Sequence, residues 1–500
     1  MDYLSLLDRK GKIMLTNVSV VKISQSTYPN KQGLFRPHIK YPEYLWDEIS
    51  VHENYVYDGV RQALYLMKLD IANYGTDKWN PFGQIVSPGD TVLIKPNMVL
   101  ECNKSEAGDE RSLYTHPSIV AAVIDYVLIA LGKNGRIIVG DAPVQECNFE
   151  KLIAESGYSD LISFYKEKGV DIDIIDFREL KSVVKNGMHV STINDSARGT
   201  VIDLARDSDF FGECKRNIKN MRITNYDPSI MQRHHNEEKH EYYISDYALQ
   251  ADVIINIPKP KCHRKAGMTA SLKNFVGLNV RKEFLPHHTK GAKCNGGDEY
   301  DEESVIHSLR STLFDVKNTY ERRNNRAVVF FCRVLIKLCS IGLKLIGKEK
   351  YEEGSWYGNT TISRTVADIN RIICYADKTG KMMELKQRNI FVIGDMIISG
   401  EGEGPLLPTN KELGVIIAGD NLIGFDKAVA TIMGFDWNKI PTIVNTEKHR
   451  EKYNLCDERT DPILVSNIGG FNGKTVEEIA PSDTYQFKAS SGWSKHIELG

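Results

Sequence analysis

What most narrows the folds open to this chain is a series of short, strongly apolar runs, each followed at once by charged or polar residues. The clearest is Val253-Ile254-Ile255-Asn256-Ile257, which stops at Pro258. Thr91 to Ile94, Arg136 to Val139, Asp171 to Asp176, Ile390 to Ile393 and Val415 to Ala418 repeat the pattern. Between them lie segments with helical patterning: Val56 to Leu69, Ser118 to Leu131, Phe149 to Ser156, Ala270 to Val280 and Lys427 to Met433. Strands apolar on both faces that alternate with helices predict an α/β fold with a doubly wound, mostly parallel sheet.

Five hundred residues exceed one compact core, so the chain divides into segments. Residues 1–85 read as an N-terminal extension, and 86–290 as the α/β core with a polar, irregular insertion at 181–250. Residues 300–385 read as a helical insertion, 386–445 as the return of the core, and 446–500 as a C-terminal tail. Lys and Arg number 64 against 66 Asp and Glu, a net charge of −2; that balance predicts no nucleic-acid partner. Met1 to Lys10 lacks a basic stretch followed by an apolar one, so no signal peptide is read there. Nine cysteines are scattered with no Cys-x-x-Cys pair, which predicts a reducing cytoplasm and argues against an iron–sulfur cluster.

Ligands of doubly wound sheets sit beyond the carboxyl ends of the strands. There the sequence offers Lys95-Pro96-Asn97, Gly140-Asp141, Lys259-Pro260-Lys261-Cys262-His263, Gly394-Asp395 and Gly419-Asp420. A single Gly-Asp is a turn signal; five charged exits on one edge predict a site. The basic loop releases four cations and a histidine within residues 259–265, and Thr269 then caps a helix carrying Lys273 and Asn274. Lys95, Asn97, Asp141, Lys259, Lys261 and Asn274 are expected to hold an anionic substrate. Thr115-His116-Pro117 reads equally as a helix start with Thr115 as cap or as a ligand-facing His116. Asp426 is expected to cap or charge the start of its own helix. Ser399-Gly400-Glu401-Gly402-Glu403-Gly404-Pro405 reads as a close-approach loop bearing two carboxylates. With Asp395 and Asp420, Glu401 and Glu403 are expected to hold a divalent metal such as Mg²⁺. His234, His235, His240, His287 and His288 are secondary metal candidates. His263, His116, Lys273 and Asp395 are the expected catalytic groups.

These motifs, in this order over roughly residues 85–435, resemble the family called domain of unknown function 362. The resemblance implies an α/β fold but little chemistry. Many members carry an appended ferredoxin-like module, and this chain lacks its cysteine spacing. Where the family pattern often has Thr, this chain has Cys262.

Residues 326–347 add a second signal. Arg326, Arg333, Lys337, Lys344 and Lys348 recur at spacings of 7, 4, 7 and 4, an arc of roughly 60° on a helix, and Arg322 joins them. The rest of the circumference is apolar, yet no charge-free run approaches the ~20 residues of a spanning helix. Such a helix suits an anionic membrane surface or a homodimer contact.

The sequence therefore predicts a metal-assisted enzyme acting on a small anionic substrate, phosphorylated or lipid-linked. It would be cytoplasmic and peripheral on the inner face of the cell membrane. An iron–sulfur or other redox accessory protein and a non-catalytic binding module are the alternatives.

Overall fold

The computed structural model describes residues 17–185, 188–348, 352–455 and 462–500; Met1 to Lys10, read above, and one of the nine cysteines, Cys456, lie outside them. A ten-stranded mixed sheet forms the centre. Its strands are β1 (Asn17–Lys22), β2 (Thr91–Pro96), β3 (Arg136–Asp141), β4 (Ile172–Asp176), β5 (Val253–Ile257), β6 (Lys261–His263), β7 (Gly267–Thr269), β8 (Asn389–Glu403), β9 (Leu407–Gly419) and β10 (Ile463–Ser466). The main order is β10-β1-β9-β8-β5-β2-β3-β4. Strands β8, β5, β2, β3 and β4 run parallel, as do β10 and β1. Strand β9 is antiparallel to both of its neighbours.

Side chains alternate across a strand, and both faces of this sheet are apolar. Val253, Ile255 and Ile257 enter one core with Val92, Ile94, Ile137, Val139 and Phe391. Ile254, Leu93, Ile138 and Val392 enter the other. Helices α1 (Tyr55–Leu66) and α2 (Pro117–Leu131) cover the first face. The short α3 (Ser271–Asn274), α6 (Thr361–Tyr375) and α7 (Leu422–Met433) cover the second. Burial on both sides explains why these strands read as apolar runs rather than as polar–apolar alternation.

Two segments expected outside the core complete it. Residues 17–22, from the supposed extension, and 463–466, from the supposed tail, are adjacent strands of the sheet. The 181–250 insertion is also more regular than its polarity suggests. Leu180–Lys185 pairs with Met188–Ile193, and Gly199–Asp203 pairs with Glu241–Ser245. Within 300–385, α4 (Val305–Arg322) and α5 (Arg326–Leu345) form an antiparallel pair, whereas α6 belongs to the core.

The expected Gly-Glu-Gly-Glu loop is instead the outer half of the β8–β9 ladder, in which Gly400 pairs with Asn410 and Glu401 with Thr409. Because β9 runs back, its carboxyl end lies at the opposite edge of the sheet from that of β8. Gly419 pairs with Val392, whereas Asp395 pairs with Ile416. Asp420 therefore does not join the other strand exits.

Candidate functional site

Four strand exits meet at one edge, and there their charges satisfy one another. Lys95 and Lys259 are fully buried. Lys95 Nζ lies 2.9 Å from Asp141 Oδ1 on the neighbouring strand. Lys259 Nζ lies 3.0 Å from Asp395 Oδ2 and donates to the hydroxyl of Tyr28. Tyr28 in turn donates to Asp395 Oδ1 at 2.7 Å and stacks on His116 with ring centroids 3.8 Å apart. The His116 amide donates to Asp395 Oδ2 at 2.9 Å. Burial lowers the pKa of both lysines, and the paired carboxylates oppose that shift. Neither ion pair is open to a ligand; together they form a closed floor.

Lys261 lies between the pairs. It donates to Asn97 Oδ1 at 2.8 Å and to the Leu113 carbonyl. Burial and the Lys259 charge hold its pKa well below the ordinary value, while Asp141 and Asp395 pull it back up. Asn274 receives Lys95 Nζ and Asn97 Nδ2 and donates to Asn256 Oδ1 at 2.7 Å. Asn97 and Asn274, expected to bind substrate, thus tie the strand ends together.

The expected helix over residues 270–280 is one turn of α-helix continued as a 3-10 turn, Phe275–Leu278. Thr269 belongs to β7 and does not cap it. The cap comes from Asp426, whose carboxylate accepts from Ser271 N at 2.7 Å and Leu272 N at 3.3 Å. Asp426 therefore caps α3 rather than the start of its own helix, where Asn421 accepts from Gly424 N. Burial raises its pKa to about 7. The 3-10 turn rests on the Lys95–Asp141 pair so closely that a Cβ on Gly277 would stand 2.0 Å from Asp141 Oδ1.

Beside this floor is a second group of cations that is not balanced in the same way. Lys273, Lys282 and His287 are half-buried, and Lys265 and His263 are buried. Among the described residues Lys273 has no hydrogen-bond or ion-pair partner. Burial and then the charges of Lys282 and Lys265 lower its pKa to about 7. Lys265, whose Nζ donates to Thr224 Oγ1 at 2.8 Å, is lowered to about 8 by burial against the pull of Glu353. Lys282, whose Nζ donates to the Ala142 carbonyl at 2.7 Å, is lowered to about 8 by burial against Asp141. His263 and His287 are held well below the ordinary histidine value by burial and by Lys273. His263 accepts the amides of Lys265 and Ala266 on Nδ1, which fixes the ring and turns Nε2 away from the backbone. Lys261 feels both Lys273 and Asp395, so the cluster adjoins the strand exits.

Lys265 stood inside the basic motif without being singled out by the sequence, and Lys282 was missed. Tyr28 carries no local signal at all, because its role follows from the fold alone. His116 is the N-cap of α2, with Nδ1 facing Ser118 N at 3.3 Å. The Thr115 hydroxyl donates to the Ile257 carbonyl instead.

The expected metal ligands do not converge. Asp395 is committed to Lys259, Tyr28 and His116. Glu401 accepts from Lys411 and from Lys488 N, and Glu403 accepts from Ser491 N. Asp420 lies at the far edge. His234 stands 2.7 Å from Glu241. Nδ1 of His235 and Nδ1 of His240 lie 3.4 Å apart, with His235 Nε2 on the Phe284 carbonyl. His288 is buried apart from these. Among the described residues no three His, Cys, Asp or Glu are placed to share an ion. Cys262 is buried with its thiol pKa pushed up, which makes it a poor nucleophile.

Two outcomes follow. Gly277→Ala should displace Asp141 from Lys95 and cost about 3 kcal/mol or more, the scale of a broken buried pair, seen as a lower urea midpoint. Asp426→Ala should uncap α3 and cost about 1–2 kcal/mol, read from the same urea midpoint.

Comparison with known proteins gives the family and little else. A stretch of 212 residues, 42% of this chain and 46% of the relative's length, is 29% identical to a thylakoid-associated protein of Synechocystis. The chain thus spans less than half of that relative. A lactate racemase apoprotein from Thermoanaerobacterium thermosaccharolyticum aligns over 75% of this chain and 55% of its own, at 10% identity and a TM-score of 0.25, too low to carry an argument. The model of the family described as "Domain of unknown function (DUF362)" matches residues 92–198 and 177–431, and the chain belongs to that family.

Proposed function

We propose that the chain is an enzyme that binds a small anionic substrate, phosphorylated or carboxylated, over the cluster of Lys273, Lys265, Lys282, His263 and His287. The observation that carries this reading is the state of Lys273. It is a half-buried amine with no partner among the described residues, and the charged groups acting most on it are themselves cations. Folding such a group costs stability, and an anion placed among these residues offsets that cost. The neighbouring ion pairs hold the strand ends rigid, which keeps the cluster preorganised. A divalent metal forms no part of this reading, because the acids are spent elsewhere.

The linkage has a definite sign. With folded pKa values of about 7 to 8 against an ordinary value of about 10.4, these lysines bind fewer protons folded than unfolded. Their contribution to stability therefore rises with pH from about 7 towards 10. A bound anion favours the charged form, so it restores the protons. Titration with sulfate, which does not ionise in this range, should take up about one proton or more at pH 8, read from calorimetry in two buffers of different ionisation enthalpy. Affinity should fall from pH 7 to pH 9. Lys273→Met should weaken sulfate binding roughly tenfold to hundredfold, the value of a charged hydrogen bond. Binding without proton uptake would sink the reading.

A second observation supports a position at an anionic lipid surface. Helix α5 packs on α4 through Val329, Cys332 and Leu343. It leaves Phe330 71%, Phe331 64%, Leu338 58%, Ile341 49% and Leu345 83% exposed. Arg326, Lys337 and Lys344 flank this ridge without an acidic partner among the described residues. Three of the six expected cations are engaged: Arg333 meets Glu321, Arg322 meets Asp227, and Lys348 meets Glu302. No described helix is long and apolar enough to cross a membrane, whereas an apolar ridge edged by free cations suits the headgroup plane. Co-sedimentation with anionic vesicles should be lost at high salt. It should weaken roughly thirtyfold in the Lys337→Gln, Lys344→Gln double variant, at ~1 kcal/mol per cation. A salt-insensitive dimer that ignores vesicles would assign the ridge to a second copy instead.

A further inference from the structure

Binding alone does not require an amine like that of Lys273, since arginines or fully charged lysines would hold an anion more firmly. Five basic groups act on one another electrostatically: His263 and Lys265 around the β6–β7 turn, Lys273 on α3, Lys282 in the following 3-10 turn, and His287 just before the short strand His288–Thr289. Lys265 and Lys282 each donate to a protein oxygen, while Lys273 donates to none among the described residues. Its side chain is also the central one electrically, for it acts on Lys261, His263 and His287. Of the acids nearby, Asp141 acts on Lys282, and Glu353, Glu299 and Asp298 act on Lys265.

We propose that Lys273 is a nucleophile that forms an imine with an anionic carbonyl substrate, an aldehyde or ketone bearing a phosphate or carboxylate, whose acid group is held by Lys265 and Lys282. This deepens the anion-binding reading and rests on it. An amine desolvated beside other cations keeps its lone pair near neutral pH, which is how lysine nucleophiles are activated. At pH 7 a lysine with a pKa of about 7 has an uncharged fraction roughly a thousandfold above that of an ordinary surface lysine. The Nζ lone pair attacks the carbonyl carbon, and the C–N bond forms as the C=O π pair moves to oxygen. The oxygen then leaves as water, taking the two hydrogens that the amine gives up. No oxidant or reductant enters.

The test uses the whole protein and pyridoxal 5′-phosphate, an aldehyde that carries a phosphate, with pyridoxal lacking the phosphate as control. After borohydride reduction at pH 7, peptide mapping should find the secondary amine at Lys273 about fivefold above Lys265 and Lys282 and far above any surface lysine, as their uncharged fractions require. Pyridoxal, which has no phosphate for Lys265 and Lys282 to hold, should label Lys273 more weakly, and Lys273→Arg should abolish the labelled position. Sulfate-dependent stabilisation of the unmodified protein is measured in parallel. If sulfate stabilises the protein but label spreads evenly over the lysines, the nucleophile is overturned and the anion site survives. If sulfate has no effect, the anion-binding reading falls, and this inference with it.

Discussion

Lys95 and Lys259 lie wholly inside the protein, and the architecture of the carboxyl edge depends on how each is neutralised. The strand order decides it. Strand β3 beside β2 brings Asp141 to Lys95, and β8 beside β5 brings Asp395 to Lys259. A one-residue slip in either pairing would turn a carboxylate away and strand a buried ammonium. The two pairs therefore fix register where apolar contacts alone would tolerate error. Gly277 and Tyr28 then close over them.

The same physics, with no carboxylate paired to Lys273, lowers the pKa values of the lysines in the neighbouring cluster. Within a few residues along β6, β7 and α3 the chain passes from compensated to uncompensated cations. A lysine facing a carboxylate is a structural rivet, whereas one facing other lysines loses its proton readily. The functional difference between Lys95 and Lys273 lies in their surroundings rather than in their chemistry.

Much of this was legible in the sequence, for stated reasons. Runs such as Val253–Ile257 must be buried on two faces, and the residue after each run must lie at a sheet edge. Direction was not legible. Val415–Ala418 has the same local pattern as its parallel neighbours, and only the β8–β9 hairpin reveals that it runs backwards, which misplaced Asp420. The glycines at 400 and 402 read as a loop although they sit in a ladder. Partners distant in sequence were equally hidden: Asp426 caps α3 across 155 positions, and Glu321 engages Arg333 across a helix pair. The basic motif announced cations, but not which of them would find an acid.

The placement of β1 has a consequence for how the protein is made. Ser19 pairs with Ala418, 399 residues later, and the remaining edge comes from Ile463–Ser466. At ribosomal speeds of about 5–20 residues per second, β1 waits roughly 20 to 80 seconds for its partner to be synthesised. During that interval its apolar residues, Val18, Val20 and Val21, have no sheet to join. Strand β1 is thus made well before the strands that seat it, and the nascent chain carries an unprotected strand edge through that interval.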